Sequence, residues 1–195
     1  TPLSSLIGWL EILKLDNVEE STIVEIEKDI TRLQTITDRF SKIGSEPVLE
    51  KRDIIEDTKN TVDYLQTRVS QQVNFYFKAP QHPVFVEINP ALHSWTIENL
   101  VKNAIDAMKG KGSLNIVISE LEDMVKISIT DTGKGIPKNQ FSKVFEPGFT
   151  TKKRGWGLGL SLTKRIVQEY HKGKIKVAHS EIGKGTTMQI SYKTT

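Results

Sequence analysis

ENLVKNAIDAM, residues 98–108, is the stretch on which the reading of this chain turns. A helix of about 3.6 residues per turn puts Asn99 and Asn103 on one face and leaves Leu100, Ala104 and Ala107 to face a core. An amide oxygen is a neutral, hard ligand suited to Mg²⁺, an ion that keeps several waters and shares nucleotide phosphates rather than sitting in an all-protein cage. Two asparagines on a helix are more often solvated or capping residues, so the neighbouring segments must decide.

Three segments lie downstream. DTGKGIP, 131–137, closes the apolar-alternating strand VKISIT and offers Asp131, then Gly133 and Gly135, where backbone turns sharply or approaches a ligand. FEPGFTTK, 145–152, sets Phe145, Pro147 and Phe149 around a turn and ends on Thr150, Thr151 and Lys152, whose hydroxyls and ammonium suit phosphate. GWGLGLSL, 155–162, places Gly155, Gly157 and Gly159 before an amphipathic helix, where free amides and the helix dipole converge on an anion. Taken singly, each reads also as a structural turn, a loop anchor or a glycine-rich connection. A dinucleotide site would further require a parallel strand-helix-strand unit, which the pattern lacks.

Working toward the amino terminus, PVFVEI and VNFYF read as strands, Ile54 to Val69 as a helix, and Gly44, Ser45 and Pro47 as a boundary. Before it, Leu3, Leu6, Leu10 and Leu13 form one helical stripe, and Ile23, Ile26, Ile30, Leu33, Ile36, Phe40 and Ile43 a second, joined by the turn at Asp16 and Asn17. Such a hairpin cannot bury its seam alone. It is expected to pair with a second copy as a four-helix bundle, the alternative being packing on the rest of the chain. Toward the carboxyl terminus, Leu158 to Tyr170 reads as a helix, and KIKVAHS and TTMQISY as strands. Strands adjacent in sequence, mixed with helices, predict an α+β domain with helices layered on a mainly antiparallel sheet.

At 195 residues, with 37% hydrophobic and 26% charged residues, the composition is that of an ordinary globular chain of one domain and a smaller appendage. No cysteine is present, which removes disulfides and thiolate zinc sites and fits a reducing, cytoplasmic setting. A net charge of +3 with interleaved signs argues against nucleic acid as a partner. No apolar stretch reaches the roughly 20 residues of a membrane span, so no membrane contact by this chain is expected.

The order of the four segments, an asparagine helix, DxGxG, an aromatic-Pro-aromatic loop with TTK, and GxGxG opening a helix, resembles the GHKL ATP-binding superfamily. Within it the chain is most similar to the catalytic domain of two-component sensor histidine kinases, over Pro47 to Thr195. The resemblance implies a two-layer α/β sandwich (the Bergerat ATP-binding fold), with a dimerisation hairpin at 1–44 and the catalytic ATP-binding domain at 45–195. It implies ATP and Mg²⁺ as cofactors, and a lid from about Ile136 to Arg154. By the same resemblance Asn103 coordinates Mg²⁺, Asn99 supports metal and phosphate, and Asp131 binds the adenine amino group. Gly133, Gly135 and Ile136 pass the adenine and ribose, and Thr187 assists Asp131 through a water. Phe145, Thr150, Thr151 and Lys152 belong to the lid, with Lys152 an expected phosphate contact, and Asp106 is among the residues implied to bind the nucleotide. Gly155, Gly157, Leu158, Gly159 and Leu160 admit the phosphates.

Gyrase-like, chaperone-like and serine-directed relatives resemble one another in having Glu four residues before the metal-binding Asn; here that residue is Asn99. An amide cannot take a proton from water or a hydroxyl as a carboxylate can. Glu98, turned about 100° away on a helix, is expected to be structural. The amino-terminal Thr-Pro-Leu resembles the end of the phosphoacceptor pattern His-Glu-x-x-Thr-Pro-Leu, so the accepting histidine would lie four residues before Thr1, and the chain as given is expected not to phosphorylate itself. The partners implied are a response-regulator receiver domain and a second copy, and the resemblance is compatible with a parent anchored in a membrane. The competing readings are a GHKL ATPase or protein-serine kinase, and a non-catalytic docking module.

Overall fold

The computed structural model describes residues 47–69, 71–152 and 157–195, with seven further helical positions at Leu10, Leu13, Ile23, Val24, Ile26, Glu27 and Ile30. The chain divides into two compact units, Thr1–Pro47 and Val48–Thr195. Apart from those seven positions, the expected hairpin at 1–44 lies outside the described residues. Among the described residues no helix is long and apolar enough to cross a membrane.

The larger unit begins with strand β1, Glu50–Asp53, which runs into helix α1, Ile54–Gln66. Asp53 stops the strand and starts the helix at once: its carboxylate accepts from the Ile55 N–H at 3.1 Å, satisfying a donor that the first turn leaves free, and from the Val84 N–H at 3.2 Å, tying the turn to the residue before β3. β2, Val73–Lys78, and β3, Phe85–Ile88, come next. Helix α2, Pro90–Ala107, is capped by Asn89, whose side chain accepts from the Leu92 N–H at 3.1 Å, with Pro90 in the first turn where a missing N–H costs nothing. β4, Gly112–Leu121, and β5, Met124–Asp131, form a hairpin.

Two short 3₁₀ turns, Lys138–Gln140 and Lys143–Phe145, lead to helix α3, Gly159–Arg165. The single helix expected to Tyr170 widens instead into a π-helical turn over Ile166–Tyr170. The His171 N–H bonds back to the Ile166 carbonyl at 3.0 Å, and this wider turn ends on a buried His171. β6, Lys174–Glu181, and β7, Gly185–Lys193, complete the chain.

β1 and β3 pair as a small antiparallel sheet, and the main sheet has the order β2-β4-β5-β7-β6. Only β2 and β4 run parallel; the other three pairings are antiparallel. Period-two alternation sends Val125, Ile127 and Ile129 of β5, and Met188, Ile190 and Tyr192 of β7, to one face, where they meet Ile97, Leu100, Val101 and Ala104 of α2. Removing each such side chain from water contributes about 1.5–3 kcal/mol. This core fixes α2 over the centre of the sheet, and Asp131 shares the inward parity at the last position of β5.

Candidate nucleotide site

The four segments converge at one end of the α2–sheet layer. Asp131 is only 5% exposed, and its Oδ1 accepts the Gly133 N–H at 2.7 Å. Burial pushes its carboxyl above the ordinary carboxylate range, while the N–H groups of Gly133 and Thr186 pull the other way. A nearly buried carboxylate at the head of a glycine turn is an acceptor for a planar amino donor. Gly133 packs on the end of α2: a Cβ there would lie 2.6 Å from the Ala107 carbonyl carbon, so only glycine brings the turn this close. Gly135 lies against the β6–β7 end, where a Cβ would stand 2.2 Å from the Glu181 oxygen. The Ile136 N–H donates to Ser180 Oγ at 2.7 Å, and Ile136 itself packs on the core.

Thr187 is not beside Asp131. Its hydroxyl is hydrogen-bonded to Thr130 at 3.0 Å on the opposite face of the sheet, where their register places both side chains. The residue at Asp131's side is Thr186, which is buried, helps hold the Asp131 carboxyl down through its backbone N–H, and shares a 2.9 Å hydroxyl contact with Ser180. The physical reason is strand parity: Thr186 alternates with Met188, Ile190 and Tyr192, all inward-facing. That alternation was available in TTMQISY and would have selected Thr186. Ser180 had no comparable signal, because it reaches the pocket across a β-bulge between Val177 and His179.

Further along α2, the Asn99 side-chain amide donates to Thr163 Oγ1 at 2.8 Å, and its oxygen faces Gly159, where a Cβ would sit 2.7 Å away. Asn99 therefore ties α2 to the start of α3. Glu98 points elsewhere, its carboxylate paired with Lys102. One turn beyond Asn99, Asn103 Oδ1 accepts from Lys152 Nζ at 2.9 Å, and Asp106 Oδ2 accepts from the same ammonium at 2.5 Å. Two oxygens of α2 thus converge on a cation supplied by the chain itself.

The lid is stitched at its ends. Lys152 N–H donates to Thr150 Oγ1 at 3.1 Å, and Lys134 Nζ donates to Thr151 Oγ1 at 2.8 Å, joining the FEPGFTTK loop to the DxGxG turn. Phe145 is buried and Phe149 packs on the core, so the two aromatic anchors hold the loop down. Gly157 adopts φ +64° and lies against Gly148, where a Cβ would come 2.4 Å from the backbone; the Gly148 N–H donates to its carbonyl at 3.1 Å. Leu158 begins α3 with no side-chain cap and Leu160 packs on the core. The first-turn amides of α3 are thereby left for another acceptor. Gly155, expected among the phosphate-admitting glycines, lies outside the described residues.

The histidines divide by environment. His82 is exposed and paired with Glu120 at 2.9 Å. His93 and His171 are buried beside Tyr192, with ring centroids 6.0 and 5.8 Å from it. Burial and mutual proximity push His93 down to about 3, and burial pushes His171 down to about 4. Both belong to the interior behind the site.

A buried carboxylate, two glycine turns, an amide-bearing helix and a helix amino terminus under a tethered loop match a known family. Its model, described as histidine kinase-, DNA gyrase B- and HSP90-like ATPase, matches residues 92–195. The chain belongs to this ATPase family. It is similar to sporulation kinase E of Bacillus subtilis (strain 168), at 30% identity over 97% of this chain and 26% of that protein, so the chain spans about a quarter of that relative's length. Among solved structures it is similar to the catalytic domain of histidine kinase ThkA, at 26% identity and a TM-score of 0.67, covering 74% of this chain and 95% of that one. A complex of histidine kinase ThkA with response regulator protein TrrA shares the fold, with 24% identity and a TM-score of 0.74 over 100% of this chain and 58% of that one. The larger unit is an ATP-binding domain of mixed helix and sheet, as the family model and the solved neighbours agree.

Proposed function

We propose that the chain is the ATP-binding, phosphoryl-transferring part of a sensor histidine kinase. The carrying observation is at Asn99: an amide held by Thr163 stands where a water-activating carboxylate would be needed, and the nearest carboxylate in sequence, Glu98, is turned away to Lys102. An amide at that position takes no proton from water, and ATP is instead positioned for a nucleophile brought from elsewhere. A neutral imidazole is such a nucleophile.

On this reading Asp131, backed by Thr186, accepts the adenine amino group, and the turn at Gly133 and Gly135 passes the base and ribose. The amides at the start of α3, around Leu158 and Gly159, receive the phosphates, with Lys152 and the Thr150–Thr151 hydroxyls above them. The Asn103 and Asp106 oxygens fit Mg²⁺, because their geometry already holds the Lys152 ammonium. Mg²⁺ would supply charge neutralisation across the phosphates. The imidazole nitrogen forms the new bond to the γ-phosphorus as the bond to the bridging oxygen breaks and ADP leaves. The phosphoryl group then passes to an aspartate of a response regulator, a partner class seen with ThkA in its solved complex. Residues 1–44 would supply a dimerising hairpin, and the protein would act in the cytoplasm.

Titration calorimetry with a non-hydrolysable ATP analogue and Mg²⁺ tests this, with Asp131→Asn alongside. The native chain is expected to bind and the variant to lose on the order of 100-fold in affinity, as expected when a buried charge-assisted hydrogen bond is lost. Equal binding by both would refute the adenine assignment. Sustained hydrolysis of ATP without any acceptor would favour a family ATPase instead.

A further inference from the structure

The face of the main sheet turned away from the helices has no covering layer among the described residues, and its charge is one-sided. Strand parity sends Lys78 of β2, Lys126 of β5, Lys174 and Lys176 of β6, and Lys193 of β7 outward. The register gathers them. Lys126 and Lys174 both stand opposite Ser191, and Gln189 stands opposite both Ser128 and Lys176. None of the five makes an ion pair among the described residues. The one carboxylate at outward parity, Glu181 at the end of β6, is already paired with Lys184 at 2.7 Å. Between the lysines lie short hydroxyl and amide side chains, with Val117 opposite Lys78 and an exposed Leu121 opposite Met124 adding apolar surface.

We propose that this face docks on an anionic lipid headgroup layer. Protein partners select surfaces with aromatic and arginine anchors and disfavour lysine; here the outward strand positions carry no arginine, and Tyr76, 56% exposed, is the single aromatic. Single-stranded nucleic acid needs a series of stacking rings, which one tyrosine does not supply. Lysine is a compact point charge on a flexible stem that meets a phosphate in any lateral position, which is what a fluid headgroup layer offers. Tyr76 is of the type enriched at the headgroup level. The lysines are dispersed through the sequence from 78 to 193 among acidic residues, so the overall charge of +3 conceals them.

The test uses the whole chain and sedimentation with phosphatidylglycerol-containing vesicles beside pure phosphatidylcholine vesicles. Binding to the anionic vesicles alone, lost at high ionic strength, is expected. The triple variant Lys126→Glu, Lys174→Glu, Lys176→Glu should weaken it on the order of 100-fold, at about fivefold per lysine, with an unchanged melting temperature. A triple of equal charge change elsewhere, Lys59→Glu, Lys138→Glu, Lys143→Glu, should weaken it far less. The proposal is overturned if the native chain ignores anionic vesicles, or if both triples lose binding equally. It is also overturned if an oligonucleotide binds this face more tightly than the vesicles at the same salt.

Discussion

Helix α2 carries polar side chains into two opposed settings. Near its start, His93 and Thr96 are fully buried beside Tyr192, and His93 Nδ1, Thr96 Oγ1, His171 Nδ1 and the Tyr192 hydroxyl have no hydrogen-bond partner. Near its end, Asn99, Asn103 and Asp106 each hold a partner from α3 or the lid, and do so at a cleft open to solvent. The buried end is rigid because it is packed, and it tolerates polar atoms only in their neutral forms. The open end holds its polar groups by side-chain bonds to α3 and the lid. One helix thus serves as both an anchor and a ligand face, and its middle, Ile97 to Val101, transmits the position of the first to the second.

The largest expected effect is at the anchor. Tyr192→Ala removes a fully buried ring and should cost about 3–5 kcal/mol, read as a large drop in urea midpoint. A small change would mean that the buried end is not what fixes α2. Next comes Asp131→Asn, which should lose nucleotide on the order of 100-fold while raising the melting temperature, because burial already disfavours the charged carboxylate. A parallel fall in both would place Asp131 with the anchor and blur the distinction.

Acid should weaken the anchor through its two histidines. His93 and His171 stay neutral in the fold down to about 3 and 4, whereas the unfolded chain takes up protons near the ordinary 6.5. The unfolded state then binds more protons, so stability falls as pH drops from about 6.5 toward about 4, by up to about 1.4 kcal/mol per pH unit for each histidine. Urea melts across that range check it, and His171→Gln should halve the slope. Tyr192→Phe, which removes an unpartnered hydroxyl, should be neutral or stabilising by about 1 kcal/mol. The smallest effect belongs to Lys152→Met at the open end. Its ion pair with Asp106 is exposed, so analogue affinity should move within about fivefold.

Much of the open end was legible beforehand, because its residues are short-range devices: a helix spacing for Asn99 and Asn103, glycines at turns, an aspartate ending a strand. The exception, Thr187 in place of Thr186, came from assigning a side chain without tracing the alternation of its strand. The anchor was not legible. His93, His171 and Tyr192 come from three distant segments, and the π-helical turn that ends on a buried His171 has no marker in the periodicity of Leu158 to Tyr170.

Apolar spacing and turn chemistry act between residues a few positions apart, and so the sequence by itself determined the main elements of the larger unit, the layering of helix on sheet, and the segments that converge at the candidate site. Which face each strand side chain occupies at a bulge, which distant polar groups are sealed together, and where scattered lysines gather depend on register between strands. Only the tertiary structure decided those, because register is fixed by packing of the whole sheet against α2 and not by any local stretch.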